Sequence, residues 1–259
     1  MEHLRILDDG PVTRVTLDRP DVHNALDDRT IAELTECFLS FKKGSARAVV
    51  MEGAGPDFCA GADLRWMRRA AGYSPARNRA DARRLARMLR AIEKCPLPVV
   101  CRVHGGTYGG GIGLVAACDM AVAADNARMV FSECRLGILP AVITPFILPK
   151  TGPGWLRRLY LSAEMFGMDT ALRAGLVHDV VHEAELDARV EKLVRGVLLC
   201  GPQALREAKS FIRKRPGLDL AVETLVRARA SREGKAGLES FLEKKPAPWL
   251  SNARITQER

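Results

Sequence analysis

The apolar residues of the chain follow two different patterns along its length. In roughly the first 150 residues they form short runs between polar segments, which is typical of β-strands. The runs predicted as strands are residues 12–17, 46–51, 97–103, 120–124 and 128–131. Several helical patterns lie between them, such as Ile31, Leu34, Phe38 and Phe41 after a capping Asp27 or Asp28. Alternating strands and helices predict an α/β core.

After about Lys150 the apolar residues recur mainly at helical spacing. Only residues 176–181 are strand-like in this part. The predicted helices are residues 155–161, 184–199, 203–213, 218–232 and 237–244. The pattern therefore predicts a strand-rich body followed by a helical C-terminal third.

Six glycines stand within ten residues of one stretch, HGGTYGGGIGLVAACD, residues 104–119. It follows a predicted strand and leads into a short predicted helix, an arrangement that can hold negative charge at the helix N-terminus. The stretch lacks the lysine of a P-loop and does not match G-x-G-x-x-G. A site that stabilises an oxyanion and a plain glycine packing between elements explain it equally well.

Two further stretches carry candidate chemistry. GPDFCAGADLRWM, residues 55–67, places small residues after a strand, where the backbone could approach a ligand; a plain tight turn is the simpler explanation. In MVFSECRLGILPAVITPF, residues 129–146, Glu133 stands beside apolar residues. Burial there would raise its pKa and allow proton exchange near neutral pH. An ordinary ion pair with an arginine is the alternative.

Composition and charge narrow the class of protein. The 259 residues are 47% apolar and 27% charged, as in ordinary globular proteins. The net charge of +9 suits nucleic acid, a membrane surface or an anionic small molecule. Residues 65–94 hold ten basic and two acidic residues, but they include an amphipathic helix at 80–94 and few aromatics. We therefore expect the basic side chains to form a solvated face of this helix, and we do not expect nucleic acid as a partner.

Targeting and metal-binding signals are not apparent in the sequence. No apolar run reaches the roughly 18 residues of a membrane span. The N-terminal residues do not look like an export signal, which predicts a cytoplasmic protein. Seven scattered cysteines show no paired spacing, so we expect reduced thiols and no metal site.

Five motifs together resemble the crotonase family, the enoyl-CoA hydratases and isomerases, over nearly the whole chain. They are LDRPDVHNAL (residues 17–26), FCAGADL (58–64), GGTYGGGIGL (105–114), GLVHDVV (175–181) and SFLEKKPAPW (240–249). Each is weak alone, but their order is specific. The resemblance implies an α/β fold, a spiral of ββα units over residues 1–195, with a helical region at 196–259 that packs on a trimer neighbour. A homotrimer or a dimer of trimers is implied.

The same resemblance assigns an acyl-CoA thioester as substrate and no cofactor beyond its coenzyme A. The thioester oxygen would be held by the backbone N–H groups of Ala62 and Gly110, with Glu133 as the proton-transferring carboxylate. Implied coenzyme A contacts are Ala25, Ala60, Asp63, Leu64, Arg65, Lys244 and Lys245. Residues matching the acyl pocket are Gly109, Gly113, Leu136 and Ala141.

The chain departs from the family pattern at two positions. Gly113 stands where a typical hydratase has its second glutamate, and the vacated volume could admit a larger acyl group. Ala141 lacks the acid of the dienoyl-CoA isomerase and dehalogenase relatives, which makes those activities unexpected. The stretch LGILPAVITPF resembles hydratases for branched, carboxylated substrates of the methylglutaconyl-CoA kind. Arg135 and Lys150 are candidates to pair with such a substrate carboxylate.

Three functions remain open. The first is an enoyl-CoA hydratase in which Glu133 performs both proton transfers, and this is preferred because of residues 136–146. The second is a Δ3,Δ2-enoyl-CoA isomerase, which needs one base and no bound water. The third, from another class, is a CoA-binding or RNA-binding relative with little catalysis.

Overall fold

The computed structural model describes residues 1–41 and 44–250, and within them the chain forms nine strands and ten α-helices. The strands are β1 (Leu4–Asp9), β2 (Val12–Leu17), β3 (Ala48–Gly53), β4 (Val99–Val103), β5 (Gly106–Tyr108), β6 (Met120–Ala124), β7 (Arg128–Val130), β8 (Phe166–Gly167) and β9 (Asp179–Val181). The helices are α1 (Asp28–Ser40), α2 (Leu64–Ala70), α3 (Pro75–Glu93), α4 (Gly110–Ala117), α5 (Thr144–Ser162), α6 (Met168–Arg173), α7 (Leu186–Leu199), α8 (Pro202–Arg213), α9 (Leu218–Ala230) and α10 (Arg232–Leu242).

The strands form two sheets. The larger has the order β1-β2-β3-β4-β6-β9 and is parallel except for the antiparallel β1–β2 hairpin. The smaller has the order β5-β7-β8, in which β5 and β7 are parallel. A parallel sheet brings the carboxyl ends of its strands to one edge, where loops can build a site. Here the loops after β3 and β4 lie at that edge.

Most of the predicted elements are confirmed. Strands β2 and β6 have the predicted bounds, and α1 is capped by Asp27, whose carboxylate accepts the N–H of Thr30. Strand β1 was not predicted because only Leu4 of its six residues is buried. Helix α3 begins earlier than predicted, since Ser74 caps it and Pro75 suits its first turn.

Both faces of the larger sheet are covered, which explains why successive residues of β3 are apolar. Val49 and Met51 face the main core, beneath α1, α3 and α4. Val50 faces the second core, which α7 closes with Val190 and Val194. The edge strand β1 needs only one covered face, and its exposed side chains follow from that position.

The C-terminal helices lie at the margin of the second core, against which the half-buried Leu205 of α8 packs. None of the residues of α8, α9 or α10 is buried. Arg47 anchors this region by donating to the carbonyl oxygens of Leu198, Cys200 and Trp249. The predicted division after residue 195 falls inside α7 and stays a prediction, and residues 251–259 of that region lie outside the described residues.

No helix in the described part of the chain combines the length and the apolar character needed to cross a membrane.

Candidate active site

Two loops run side by side at the carboxyl edge of β3 and β4. The N–H of Phe58 donates to the carbonyl of His104 over 3.0 Å, and that of Cys59 to Gly106 over 3.2 Å. The N–H of Tyr108 returns to the carbonyl of Cys59 over 2.9 Å. This pairing joins FCAGADL to GGTYGGGIGL, two motifs separated by about forty residues in the sequence. It brings the segment that ends in Ala62 beside the segment that opens α4 at Gly110.

The backbone N–H groups of Ala62 and Gly110 are among those in these loops that have no acceptor within the described residues. Gly110 is the first residue of α4, so its N–H has no partner within the helix. On either side of Ala62, Gly61 accepts a hydrogen bond from Leu26 and Asp63 donates one to Leu26, which fixes the Ala62 backbone. Two fixed donors with the positive end of a helix can stabilise negative charge on a ligand oxygen.

Glycine is required where the two loops touch. Gly61 has a φ of +82°, and a Cβ there would lie 2.7 Å from the carbonyl oxygen of Tyr108 and 3.6 Å from the nitrogen of Gly110. Gly109 has a φ of +44°, and a Cβ there would lie 2.8 Å from Oε1 of Glu133. Side chains at these positions would separate the loops from each other and from the carboxylate.

Glu133 lies against this pair of loops. It opens a 3₁₀ turn, Glu133–Leu136, shortly after β7. The side chain is half-buried, and Oε2 is enclosed with no hydrogen-bond partner among the described residues. Burial raises the pKa of Glu133 above its usual range. The alternative, an ion pair with an arginine, is not formed within the described chain. A carboxylate in this state can exchange protons with a ligand.

A phenol lies near the same carboxylate. The hydroxyl of Tyr160 is 3.1 Å from Oγ1 of Thr144, and its ring packs edge-on against Phe131. Burial, with a contribution from the charge of Glu133, raises the pKa of Tyr160 to about 12. Tyr160 therefore stays protonated at neutral pH. Nothing in the sequence around it indicated this proximity.

The space beside Gly113 is filled. A Cβ at Gly113 would lie 2.5 Å from Cγ2 of Ile143 and 3.6 Å from Cδ2 of Leu89. Gly113 and Ile143 are both buried. The expectation that Gly113 leaves room for a larger acyl group is therefore wrong, because Ile143 occupies that volume. No second carboxylate could stand at Gly113 without moving Ile143.

The side-chain oxygens of Asp63 accept hydrogen bonds within the protein. Its Oδ1 caps α2 by accepting the N–H groups of Arg65 and Trp66, and its Oδ2 accepts from Arg19 over 3.1 Å. Burial alone would raise the pKa of Asp63, but these N–H groups and Arg19 hold it below its usual value. Asp63 therefore caps the loop of Ala62, and its contact with coenzyme A stays a prediction. Arg19 also donates to the carbonyl of Ala25.

The remaining coenzyme A candidates fall into two places. Ala25, Ala60, Leu64 and Arg65 lie on or beside the Ala62 loop, and the side chains of Leu64 and Arg65 are exposed at the start of α2. Lys244 and Lys245 follow α10, where Lys245 pairs with Glu243 over 2.7 Å. Among the described residues no hydrogen bond or ion pair joins these two lysines to the loops. The single chain does not bring the two sets together.

The candidate residues for the acyl pocket and for a substrate carboxylate differ in their surroundings. Leu136 and Ala141 are exposed, in the segment that follows Glu133. Arg135 is exposed and forms no ion pair within the described chain. Lys150 donates to the carbonyl of Cys118 over 2.8 Å, and burial lowers its pKa. Lys150 is therefore held against the end of α4, and its predicted pairing with a substrate is corrected.

Comparisons with known proteins show the family of the chain. The family model described as enoyl-CoA hydratase/isomerase matches residues 8–252. Crotonyl-CoA hydratase of Syntrophomonas wolfei subsp. wolfei is 31% identical over 91% of this chain and 93% of its own. Carnitinyl-CoA dehydratase of Escherichia coli K12 is 33% identical over 82% of this chain and 80% of its own.

Solved structures show the same relationship. The crystal structure of an enoyl-CoA hydratase from Shewanella pealeana superposes with a TM-score of 0.92, at 34% identity, over 95% of this chain and 96% of that one. The chain belongs to the enoyl-CoA hydratase/isomerase family and has the crotonase fold.

Proposed function

We propose that the protein is an enoyl-CoA hydratase that adds water across the 2,3 double bond of an acyl-CoA thioester with a single carboxylate. One observation carries the proposal: Glu133, half-buried and with an unpartnered Oε2, lies against Gly109, next to the free N–H of Gly110. The free N–H of Ala62 completes a two-donor site. The names of the relatives support the same class of reaction, the hydro-lyases.

The reaction follows from the positions of these groups. The thioester oxygen accepts hydrogen bonds from the backbone N–H groups of Ala62 and Gly110. Glu133 takes a proton from water as the oxygen of that water bonds to C3, and the electron pair of the double bond moves to form the enolate. The two donors stabilise the enolate oxygen, a contribution of about 3 kcal/mol for each such donor in related sites. Glu133 then returns its proton to C2.

The substrate proposed is a branched acyl-CoA with a carboxylate, of the methylglutaconyl-CoA kind. The exposed guanidinium of Arg135, two residues from Glu133 and without an ion pair in the described chain, supports a substrate carboxylate there. With Lys150 held by Cys118, Arg135 is the remaining candidate. Arg135→Gln should then raise KM for a carboxylated substrate at least tenfold and leave KM for crotonyl-CoA within about twofold. The reason is that only the carboxylated substrate loses an ion pair with Arg135.

A second candidate function is Δ3,Δ2-enoyl-CoA isomerisation. Ile143 favours it, because this side chain fills the place of a second carboxylate and leaves Glu133 alone. One carboxylate can remove a proton from C2 and return it to C4 without bound water.

A panel of three substrates separates the two functions. The purified protein is incubated with crotonyl-CoA, 3-methylglutaconyl-CoA and a 3-enoyl-CoA, and products are followed by mass and by the conjugated enoyl absorbance, which hydration lowers and isomerisation of the 3-enoyl-CoA raises. Hydration adds one water to the product mass, and isomerisation adds none. Turnover of the 3-enoyl substrate alone would overturn the hydratase proposal in favour of the isomerase.

The oligomer belongs to the same proposal. Helices α9 and α10 expose large apolar side chains, including Leu218, Phe241 and Leu242, each more than three-quarters exposed. Exposed apolar residues in such number mark an interaction surface. A homotrimer or a dimer of trimers would cover them and could carry Lys244 and Lys245 toward a neighbour's coenzyme A.

A further inference from the structure

We propose that Asp57 is a positioning residue that sets the relative placement of the two N–H donors, Ala62 and Gly110. This inference rests on the proposed function, because it concerns the same oxyanion site. Asp57 lies five residues before Ala62 and has no place in the proton transfer. Its role follows from how its carboxylate joins three separate segments of the chain.

The first bond of Asp57 crosses between the two loops. Its Oδ1 accepts the N–H of Gly106 over 2.5 Å. Gly106 begins β5, four residues before Gly110, so this bond lies on the path to both donors, after the contact of 2.9 Å between Nε2 of His104 and the carbonyl of Gly55. The backbone pairs of Cys59 with Gly106 and Tyr108 follow it along the same path. The carboxylate therefore joins the two loops directly before their backbone pairing at Cys59.

The side chain takes the place of a main-chain acceptor here. In a regular parallel ladder the N–H of Gly106 would donate to the carbonyl of Asp57. That carbonyl instead accepts Nδ2 of Asn24 over 2.8 Å, and Nδ2 also reaches the carbonyl of Ala54 over 2.7 Å. The carboxylate replaces the missing carbonyl. Without it the N–H of Gly106 would lose its partner in a part-buried place.

The second oxygen of Asp57 reaches a third segment. Oδ2 lies 2.6 Å from Nδ1 of His23, and the carbonyl of His23 accepts the N–H of Ala60 over 2.8 Å. His23 has a left-handed backbone, with a φ of 52°. Asp57 thus connects the LDRPDVHNAL segment to both loops at one carboxylate.

The glycines beside Asp57 keep it close. A Cβ at Gly106 would lie 2.9 Å from Oδ1 of Asp57, and a Cβ at Gly105 would lie 2.8 Å from the same oxygen and overlap the carbonyl oxygen of Pro56. Gly105 has a φ of +55°. These two glycines of the HGGTYGGGIGL stretch therefore serve the contact with Asp57, whereas Gly109 and Gly110 serve the site itself.

The test compares Asp57→Ala with Asp57→Asn. Asparagine keeps an oxygen that can accept the N–H of Gly106, and alanine does not. On a substrate that the wild type hydrates, Asp57→Ala should lower kcat about 10- to 100-fold and leave KM within about threefold. The reason is that moving a group of the site by an ångström can lower the rate by about two orders of magnitude. Asp57→Asn should stay within about threefold of the wild type. Asp119→Ala is the control for a general loss of stability, because Asp119 also accepts a backbone N–H, that of Val99 at the far end of β4, and pairs with Lys209 over 2.6 Å.

Amide hydrogen exchange gives a readout that does not depend on activity. Asp57→Ala should speed exchange in peptides covering residues 104–113, and Asp119→Ala should not. If exchange there is unchanged in Asp57→Ala, the positioning role is overturned whatever the enzyme does. Equal loss of kcat in Asp57→Ala and Asp119→Ala would also overturn it, by showing a general loss of stability. A wild type without turnover, together with faster exchange in Asp57→Ala, would remove the proposed function and keep the structural link.

Discussion

Replacing Gly113 with alanine tests whether Ile143 truly fills the place of the second carboxylate. The new Cβ would come 2.5 Å from Cγ2 of Ile143, about 1 Å inside ordinary contact. Overpacking of a buried site costs about 1–3 kcal/mol. Alanine in a helix offsets up to about 1 kcal/mol of this relative to glycine. The net loss in the free energy of unfolding should be about 1 kcal/mol, or about 2–4 °C in Tm for a chain of this size.

Gly196 supplies the matched control. It lies in α7, is exposed, and has no atom within 4 Å of a Cβ placed on it. Gly196→Ala should therefore raise stability by about 0.4–1 kcal/mol. Thermal and urea unfolding of both variants give the comparison, provided that unfolding is reversible.

A double-mutant cycle with Ile143→Ala identifies the contact. When Cγ2 of Ile143 is removed, Gly113→Ala should become neutral or stabilising, with a coupling of at least about 1 kcal/mol. Stabilisation by Gly113→Ala alone, equal to that of Gly196→Ala, would refute the reasoning. The volume beside Gly113 would then be open to an acyl group after all.

Two further predictions concern Glu133 and the oligomer. Burial raises the pKa of Glu133 in the folded state, so the ionised carboxylate lowers stability above that pKa and the effect disappears in acid. Glu133→Gln should therefore be more stable than the wild type at pH 8, and the difference should close below pH 4.5. Unfolding measured at both pH values checks this. As the base must be ionised, kcat/KM should also fall in acid with a midpoint above 4.5, and a midpoint at or below 4.5 would contradict the burial. The exposed apolar faces of α9 and α10 predict self-association. Light scattering should give a mass above that of one chain, and Phe241→Glu should lower this mass. A monomer at micromolar concentration would contradict the prediction.

The sequence predicts the main sheet well because buried strands leave a strong apolar signal. Strands β2, β3, β4 and β6 were found in this way, since residues such as Val50 and Val122 are buried on one face and their neighbours on the other. Strand β1 was missed because it lies at an edge with mostly exposed side chains. The two-residue β8 leaves no pattern of its own.

The candidate site was predicted as a set of residues but not as an arrangement. The resemblance indicated Ala62, Gly110 and Glu133, and the structure places the loops of the first two side by side with Glu133 against Gly109. It could not show that Ile143, thirty residues from Gly113, fills the space beside it. Nor could the resemblance show that the guanidinium of Arg19 donates to the carboxylate of Asp63, because long-range contacts of this kind depend on the folded geometry.

In the proposed reaction Glu133 alone moves the proton while the two N–H groups hold the thioester. The most direct measurement is steady-state kinetics of Glu133→Gln on a substrate that the wild type hydrates, with acyl-CoA affinity measured by calorimetry. Glu164→Gln, a change at an exposed carboxylate paired with Arg158, is the control. Glu133→Gln should lose about two to four orders of magnitude in kcat while Kd stays within about threefold. Retention of kcat within tenfold of the wild type would contradict it.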